Sequence, residues 1–140
     1  MSWLVDTSII AEVAKGSRCD AGVAAWYARA AAVDLHLSVI LVGEIRLAAS
    51  RLAAPDAVRA QALLAWLALV QRAFAGRILP IDDAVTARWG ELAAIRPVPV
   101  LDGLVAATAL AHRLTLVTRR DAVLTGLAVD LLNPSRAALP

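Results

Sequence analysis

At 140 residues with one cysteine, Cys19, the chain has the size of a single domain, 1–140, and excludes an internal disulfide. It is 60% hydrophobic with a mean hydropathy of +0.68. Yet its longest uncharged run, 60–71, is twelve residues, too short to cross a bilayer, and Asp6 falls where a signal peptide needs apolar residues, so a cytoplasmic protein with apolar surface for a protein partner is expected.

The basic excess is slight, a formal +2 and a pI near 9.3. Its makeup is uneven, with thirteen arginines against the one Lys15. Guanidinium forks match phosphate geometry, although a GC-rich genome produces the same bias.

The apolar run Trp3-Leu4-Val5 predicts a buried parallel strand that surfaces at Asp6. Thr7 and Ser8 offer hydroxyls as caps for a helix carrying Ile9, Ile10 and Val13. After a break at Lys15-Gly16-Ser17, residues 20–32 read as a helix around Val23, Trp26 and Ala30. Leu35-His36-Leu37-Ser38 reads as a second strand, with Ser38 capping a helix to about Leu52. On that helix Leu41, Ile45, Ala48 and Leu52 mark a core-facing stripe. Glu44 lies off the stripe, after Gly43 and among apolar neighbours, placed to project into a cleft.

Pro55 and Asp56 open a long helix to about Phe74, whose Leu63, Leu64, Trp66, Leu67 and Val70 are too many for one narrow face. It is the predicted dimer or partner surface. Residues 77–81 form a third strand, stopped by Asp82-Asp83 at the start of a helix through Trp89 and Leu92. The stiff Arg96-Pro97-Val98-Pro99 turn delivers Asp102 to the head of a helix of small residues. Leu114-Thr115-Leu116-Val117 is a fourth strand, emerging at Thr118-Arg119-Arg120-Asp121, and 129–132 a last one before Asn133-Pro134. This alternation predicts an α/β sandwich with a mostly parallel sheet of four to five strands. Trp26, Trp66 and Trp89 read as core or interface anchors, and His36 and His112 as unrelated to each other.

Three acids stand out by position. Asp6 follows strand one, Glu44 lies in the helix after strand two, and Asp102 heads a helix; Asp121, just past strand four, is a fourth. Strand-end positions of a parallel sheet share one edge, so these carboxylates can converge there. At about 4 Å, two of them repel by roughly 4 kcal/mol at an effective dielectric near 20. Such a cluster needs protons, arginines or a cation among its oxygens, and a hard dication, Mg²⁺ or Mn²⁺, meets that need. Nothing resembling a Cys/His zinc set, a phosphate-cradling glycine run or a nucleophile elbow competes. A phosphorylated receiver domain would need paired acids after strand one and a late lysine, and the chain has neither.

Several segments, in order, resemble the PIN-domain toxins of the VapBC type II toxin–antitoxin family. They are Leu4-Val5-Asp6-Thr7-Ser8 with Glu12, Leu37-Ser38-Val39-Ile40 leading to Gly43-Glu44-Ile45-Arg46, and Gly76-Arg77-Ile78-Leu79-Pro80-Ile81-Asp82 with Trp89-Gly90. Leu101-Asp102-Gly103 with its following helix, Leu114 to Arg119, and Val129 to Pro134 complete the set. The resemblance implies a three-layer PIN-like sandwich and a Mg²⁺-dependent endoribonuclease acting on RNA. In that pattern Asp6, Glu44 and Asp102 are active-site acids. The implied partners are a second copy in a homodimer and a cognate antitoxin whose tail approaches the metal site.

Within that expectation the metal is held by Asp6 and Asp102, directly or through water, and Glu44 orients or deprotonates the water; either Asp121 replaces the fourth acid through a local shift, as a further ligand and catalytic acid, or the site is a triad. Thr7 and Thr118 orient the acids, and Arg46, Arg119 and Arg120 are candidate phosphate contacts. The chain departs from the family pattern at Ser8, where asparagine is common, and after strand four. There Arg120 takes an asparagine position and Val123-Leu124 replaces an aspartate–phenylalanine pair. The alternative reading is therefore a PIN-fold module with an incomplete site that binds antitoxin or RNA without cleaving.

Overall fold

The computed structural model describes residues 1–136. Strands β1 (Trp3–Val5), β2 (Leu35–Ser38), β3 (Ile78–Leu79), β4 (Thr115–Val117) and β5 (Leu131–Leu132) form one sheet of order β3-β2-β1-β4-β5. Every pairing is parallel. The six α-helices among the described residues are α1 (Thr7–Val13), α2 (Ala21–Arg29), α3 (Val39–Leu52), α4 (Ala57–Ala73), α5 (Asp83–Ile95) and α6 (Val100–Ala111).

The pleat sorts the core into two layers. Val5 and Val117 point to one face, where α1 to α4 supply Ile9, Ile10, Val23, Leu41, Ile45 and Leu67. Leu4 and Leu116 point to the other, against Val85 and Leu92 of α5 and Val105 and Ala109 of α6. Gly103 lets α6 approach α5, since a Cβ there would stand 3.1 Å from the Trp89 ring. The result is the expected three-layer sandwich. Among the described residues, no helix is long and apolar enough to cross a membrane.

Four helices start on carboxylate or hydroxyl caps: Asp20, Ser38, Asp56 and Asp82 accept from the amides of Val23, Ile40, Arg59 and Val85. Each cap contributes about 1 kcal/mol. Several boundaries differ from the sequence reading. Extended backbone at Ala30 ends α2 early, and a 3-10 turn over Ala32–Asp34 fills the gap. The buried stripe of α3 is Leu41, Val42, Ile45 and Ala49, while Ala48 is exposed and Leu52 only half-buried. The last strand is Leu131–Leu132: the Asp130 carbonyl still accepts from the Leu116 amide at 2.9 Å, but the Val129 amide turns back on the Leu127 carbonyl at 2.8 Å.

Chain order decides where a ligand fits. From the central β1 the sheet grows outward through β2 and β3 on one side, then resumes through β4 and β5 on the other. The crevice at the carboxyl ends of β1 and β4 is the topological switch point, the usual ligand position in such sheets.

Candidate active site

Asp6 directly follows β1 and Thr118 directly follows β4. The register that sets Val5 beside Val117 brings them together, and the Asp6 amide bonds the Val117 carbonyl at 3.0 Å. Thr118 Oγ1 donates to Asp6 Oδ2 at 2.8 Å, and Ser8 Oγ donates to the same oxygen at 2.9 Å. Thr7 Oγ1 donates to Glu44 Oε1 at 2.8 Å. The capping role expected of Thr7 and Ser8 is thus corrected: α1 carries no side-chain cap bond, and both hydroxyls are spent on the acids.

Glu44 comes from the second turn of α3 and Asp102 from the first turn of α6. With Asp6, Thr7, Ser8 and Arg120 they line one cavity of about 530 Å³. Burial pushes the Glu44 carboxyl above its ordinary range. The Thr7 bond pulls it down, the charges of Asp6 and Asp102 add to the rise, and Arg120 opposes it. Burial likewise raises Asp102, with Arg120 lowering it and Asp6 raising it. Three acids delivered by separate segments therefore share one partly desolvated space, in which Glu44 and Asp102 both feel the charge of Asp6.

Arg120 Nη2 stands 3.1 Å from Asp102 Oδ2. Among the described residues, no three carboxylate, imidazole or thiol groups are placed to close on one ion as the side chains stand. The donor chemistry nonetheless fits a hard dication. All candidate ligands are carboxylate oxygens, and one oxygen each of Asp6 and Glu44 is already pinned by hydroxyls.

The structure does not bring the other predicted residues to the cavity. Asp121 opens a 3-10 turn (Asp121–Leu124), and its carboxylate is engaged by Asn133 Nδ2 at 3.0 Å and by Arg136 Nη1 at 3.4 Å. Asp121 is thus not among the residues that line the acid cavity. Arg119, expected on phosphate, instead bonds Glu12 Oε2 through Nη1 at 2.7 Å. Arg46 is exposed on α3 and does not line the cavity.

Glu12 is the group that the sequence reading left without a role. It is 5% exposed, yet Lys15 Nζ and Arg119 Nη1 each stand 2.7 Å from its Oε2, and the Asp20 amide donates to Oε1 at 2.8 Å. Those contacts, Lys15 first, hold the carboxyl below its ordinary range. The spacing of Lys15 from Glu12 is a legible helical signal. The contact with Arg119 is not, because only the β1–β4 pairing creates it. His36 and His112, read as unrelated, line a second cavity of about 340 Å³ with Arg113, near the amino ends of β1 and β4. There His36 Nδ1 is buried without a hydrogen-bond partner among the described residues.

Residues 3–128 match the family model described as the PIN domain. The chain is 31% identical over 137 residues to Toxin FitB of Neisseria gonorrhoeae, covering 94% of this chain and 96% of that protein. It is also 31% identical over 138 residues to a VapC ribonuclease of Sinorhizobium fredii, with coverage of 94% and 96%. The crystal structure of FitAcB from Neisseria gonorrhoeae matches with a TM-score of 0.85 at 31% identity, over 96% of this chain and 99% of that one. A FitAB structure bound to a DNA fragment matches with a TM-score of 0.84 at 29% identity, over 97% of each chain.

Proposed function

Because the chain belongs to the PIN-domain family, among the VapC-type toxins of toxin–antitoxin systems, we propose that it is a Mg²⁺- or Mn²⁺-dependent endoribonuclease of the cytoplasm. Its substrate is RNA, and its activity is restrained by a cognate antitoxin. The observation that carries this reading is the meeting of Asp6, Glu44 and Asp102, from three separate segments, around one cavity with an arginine at its side.

Asp6 and Asp102 would hold the dication, which supplies Lewis-acid polarisation of the scissile phosphate and a more acidic water. Thr118 and Ser8 fix one oxygen of Asp6, so that carboxylate does not rotate as charge builds on the phosphoryl oxygens. Thr7 fixes one oxygen of Glu44 and leaves Oε2 without a protein partner among the described residues. A glutamate raised by burial holds a proton better than a surface one, which suits it to accept the proton of the attacking water. In-line attack by that water leaves a 5′-phosphate.

The antitoxin reading draws support from the surface. An apolar groove beside α4, lined by Leu52, Leu63 and Trp66, reaches Ala11, which also lines the acid cavity. A polypeptide lying in it would end at the acids. Homodimerisation would use outward-facing Val58 and Leu69 of the same helix, 81% and 59% exposed.

The test is hydrolysis of a fluorogenic single-stranded RNA by the purified chain, with Mg²⁺ and with EDTA. Asp6→Asn and Asp102→Asn are expected to lower the rate at least about 100-fold while retaining the fold. Cleavage that survives EDTA and both substitutions would remove the assignment. The alternative, a non-cleaving binding module, is favoured by Val123 and by the turning away of Asp121. It predicts no cleavage with either cation and undiminished antitoxin binding.

A further inference from the structure

Asp102 is held by an arginine where the cation-dependent reading requires a metal. Arg120 Nη2 makes a single contact with Asp102 Oδ2, and its side chain is 54% exposed against 18% for the aspartate. A one-pronged ion pair so open to solvent contributes at most about 1 kcal/mol, far less than a fork-on-carboxylate pair could. The backbone beneath it is fixed. The Arg120 amide donates to Thr118 Oγ1 at 2.9 Å, the same hydroxyl that orients Asp6, and its carbonyl accepts from Val123 at 3.1 Å. The guanidinium thus sits at the end of a long, half-exposed side chain whose backbone is anchored at the cavity wall.

Charge balance favours one displacement of that guanidinium. Three carboxyl groups face one guanidinium, an acid-rich lining that is a poor host for an RNA phosphate. A dication entering among the acids balances the charge, takes the oxygen that Arg120 holds, and frees the guanidinium. Of the arginines near the site, Arg119 is engaged by Glu12 and Arg46 lies off the lining, so Arg120 is the one available to a phosphate. We propose that Arg120 is the resident counter-ion of the metal-free cavity and passes from Asp102 to the substrate phosphate when a divalent cation binds, coupling cation and phosphate affinity. This exchange rests on the cation-dependent nuclease reading.

The experiment is calorimetric titration of the full, metal-stripped chain with Mn²⁺, then with uridine 5′-monophosphate in the presence and absence of Mn²⁺. Arg120→Gln removes the competing charge at a half-exposed position, and its fold is checked by thermal melting. Mn²⁺ is expected to bind Arg120→Gln about five-fold tighter than wild type, the equivalent of the open ion pair. Mn²⁺ is further expected to tighten the nucleotide's binding to wild type but not to Arg120→Gln. Arg120→Lys keeps the charge without the fork, and is expected to restore wild-type Mn²⁺ affinity with weaker nucleotide coupling. Equal or weaker Mn²⁺ binding by Arg120→Gln, when wild type binds the ion and Asp102→Asn does not, overturns the exchange alone. Absence of Mn²⁺ binding in both wild type and Arg120→Gln overturns the cation-dependent reading beneath it.

Discussion

Asp6 Oδ2 accepts two hydroxyl hydrogen bonds, from a threonine that is 1% exposed and from a serine on the following helix. Replacing Thr118 by valine keeps the shape and removes one bond, so cleavage is expected to fall about 10- to 100-fold, the usual effect of losing a ligand's outer support. Single-turnover rates check this; an unchanged rate would leave Thr118 as core filling. Glu44 offers a separation of stability from activity. Its raised proton affinity means that below the ordinary glutamate range the folded and unfolded chains are both protonated and folding carries no penalty. The penalty grows as pH rises through the folded value and is complete above it. Glu44→Gln removes it while its side-chain oxygen still accepts from Thr7. Metal-free Glu44→Gln is therefore expected to melt above wild type at about pH 7, with the gap closing toward about pH 4, and to be inactive throughout. Melting curves across that range decide it; a gap that widens in acid contradicts the sign.

Among the elements, the α1–α2 junction and the C-terminal segment depend on each other. Glu12 gathers Lys15, the Asp20 amide and Arg119, joining α1 to the start of α2 and to the turn after β4. Because its carboxyl is held low, this contribution is full above the ordinary glutamate range and disappears as pH falls through the folded value. Glu12→Gln is expected to lower the melting temperature at neutral pH and to make little difference in strong acid, read by calorimetry at both. Close by, a Cβ on Gly22 would overlap the Pro134 carbonyl. Gly22→Ala is expected to cost roughly 1–3 kcal/mol as the segment after β5 lifts, and an unaltered denaturant midpoint would mean that the segment shifts freely.

Much of this was legible in sequence order. Short apolar runs gave way to Asp6 and to Thr118, the helix start that carries Asp102 in its first turn followed from the proline-rich turn, and Glu44 stood out as an acid in an apolar helix. Local signals sufficed because each of these is a transition from one period to another. The distant partners of the charged side chains were not legible. Asp121 lies in sequence where an acid would serve, yet Asn133 and Arg136 claim it; Arg119 reads as a phosphate contact, yet Glu12 holds it. Those pairings join residues far apart in the chain, and only the register of β4 against its neighbours creates them.

Across the whole molecule, the acid cavity and the apolar groove beside α4 share Ala11, so the proposed chemistry and the proposed docking surface adjoin along α1. Trp66, half-buried at the junction of two apolar grooves, is expected to anchor the antitoxin. Trp66→Ala should weaken that complex by about 2 kcal/mol or more, as loss of a central aromatic anchor does, with hydrolysis by the free chain unchanged. Equal affinity in a pull-down titration would move the docking surface elsewhere. The placement of β1 has a further bearing on how the protein comes into being. The middle of the sheet is made first, and the strand that locks its carboxyl edge is among the last to appear. A nascent chain cut short on the ribosome before residue 115 already carries all three acids but lacks the neighbour that holds Asp6 in place. On the nuclease proposal, chains interrupted before β4 should therefore be inactive, since the acids are assembled around Thr118 only once that strand is made.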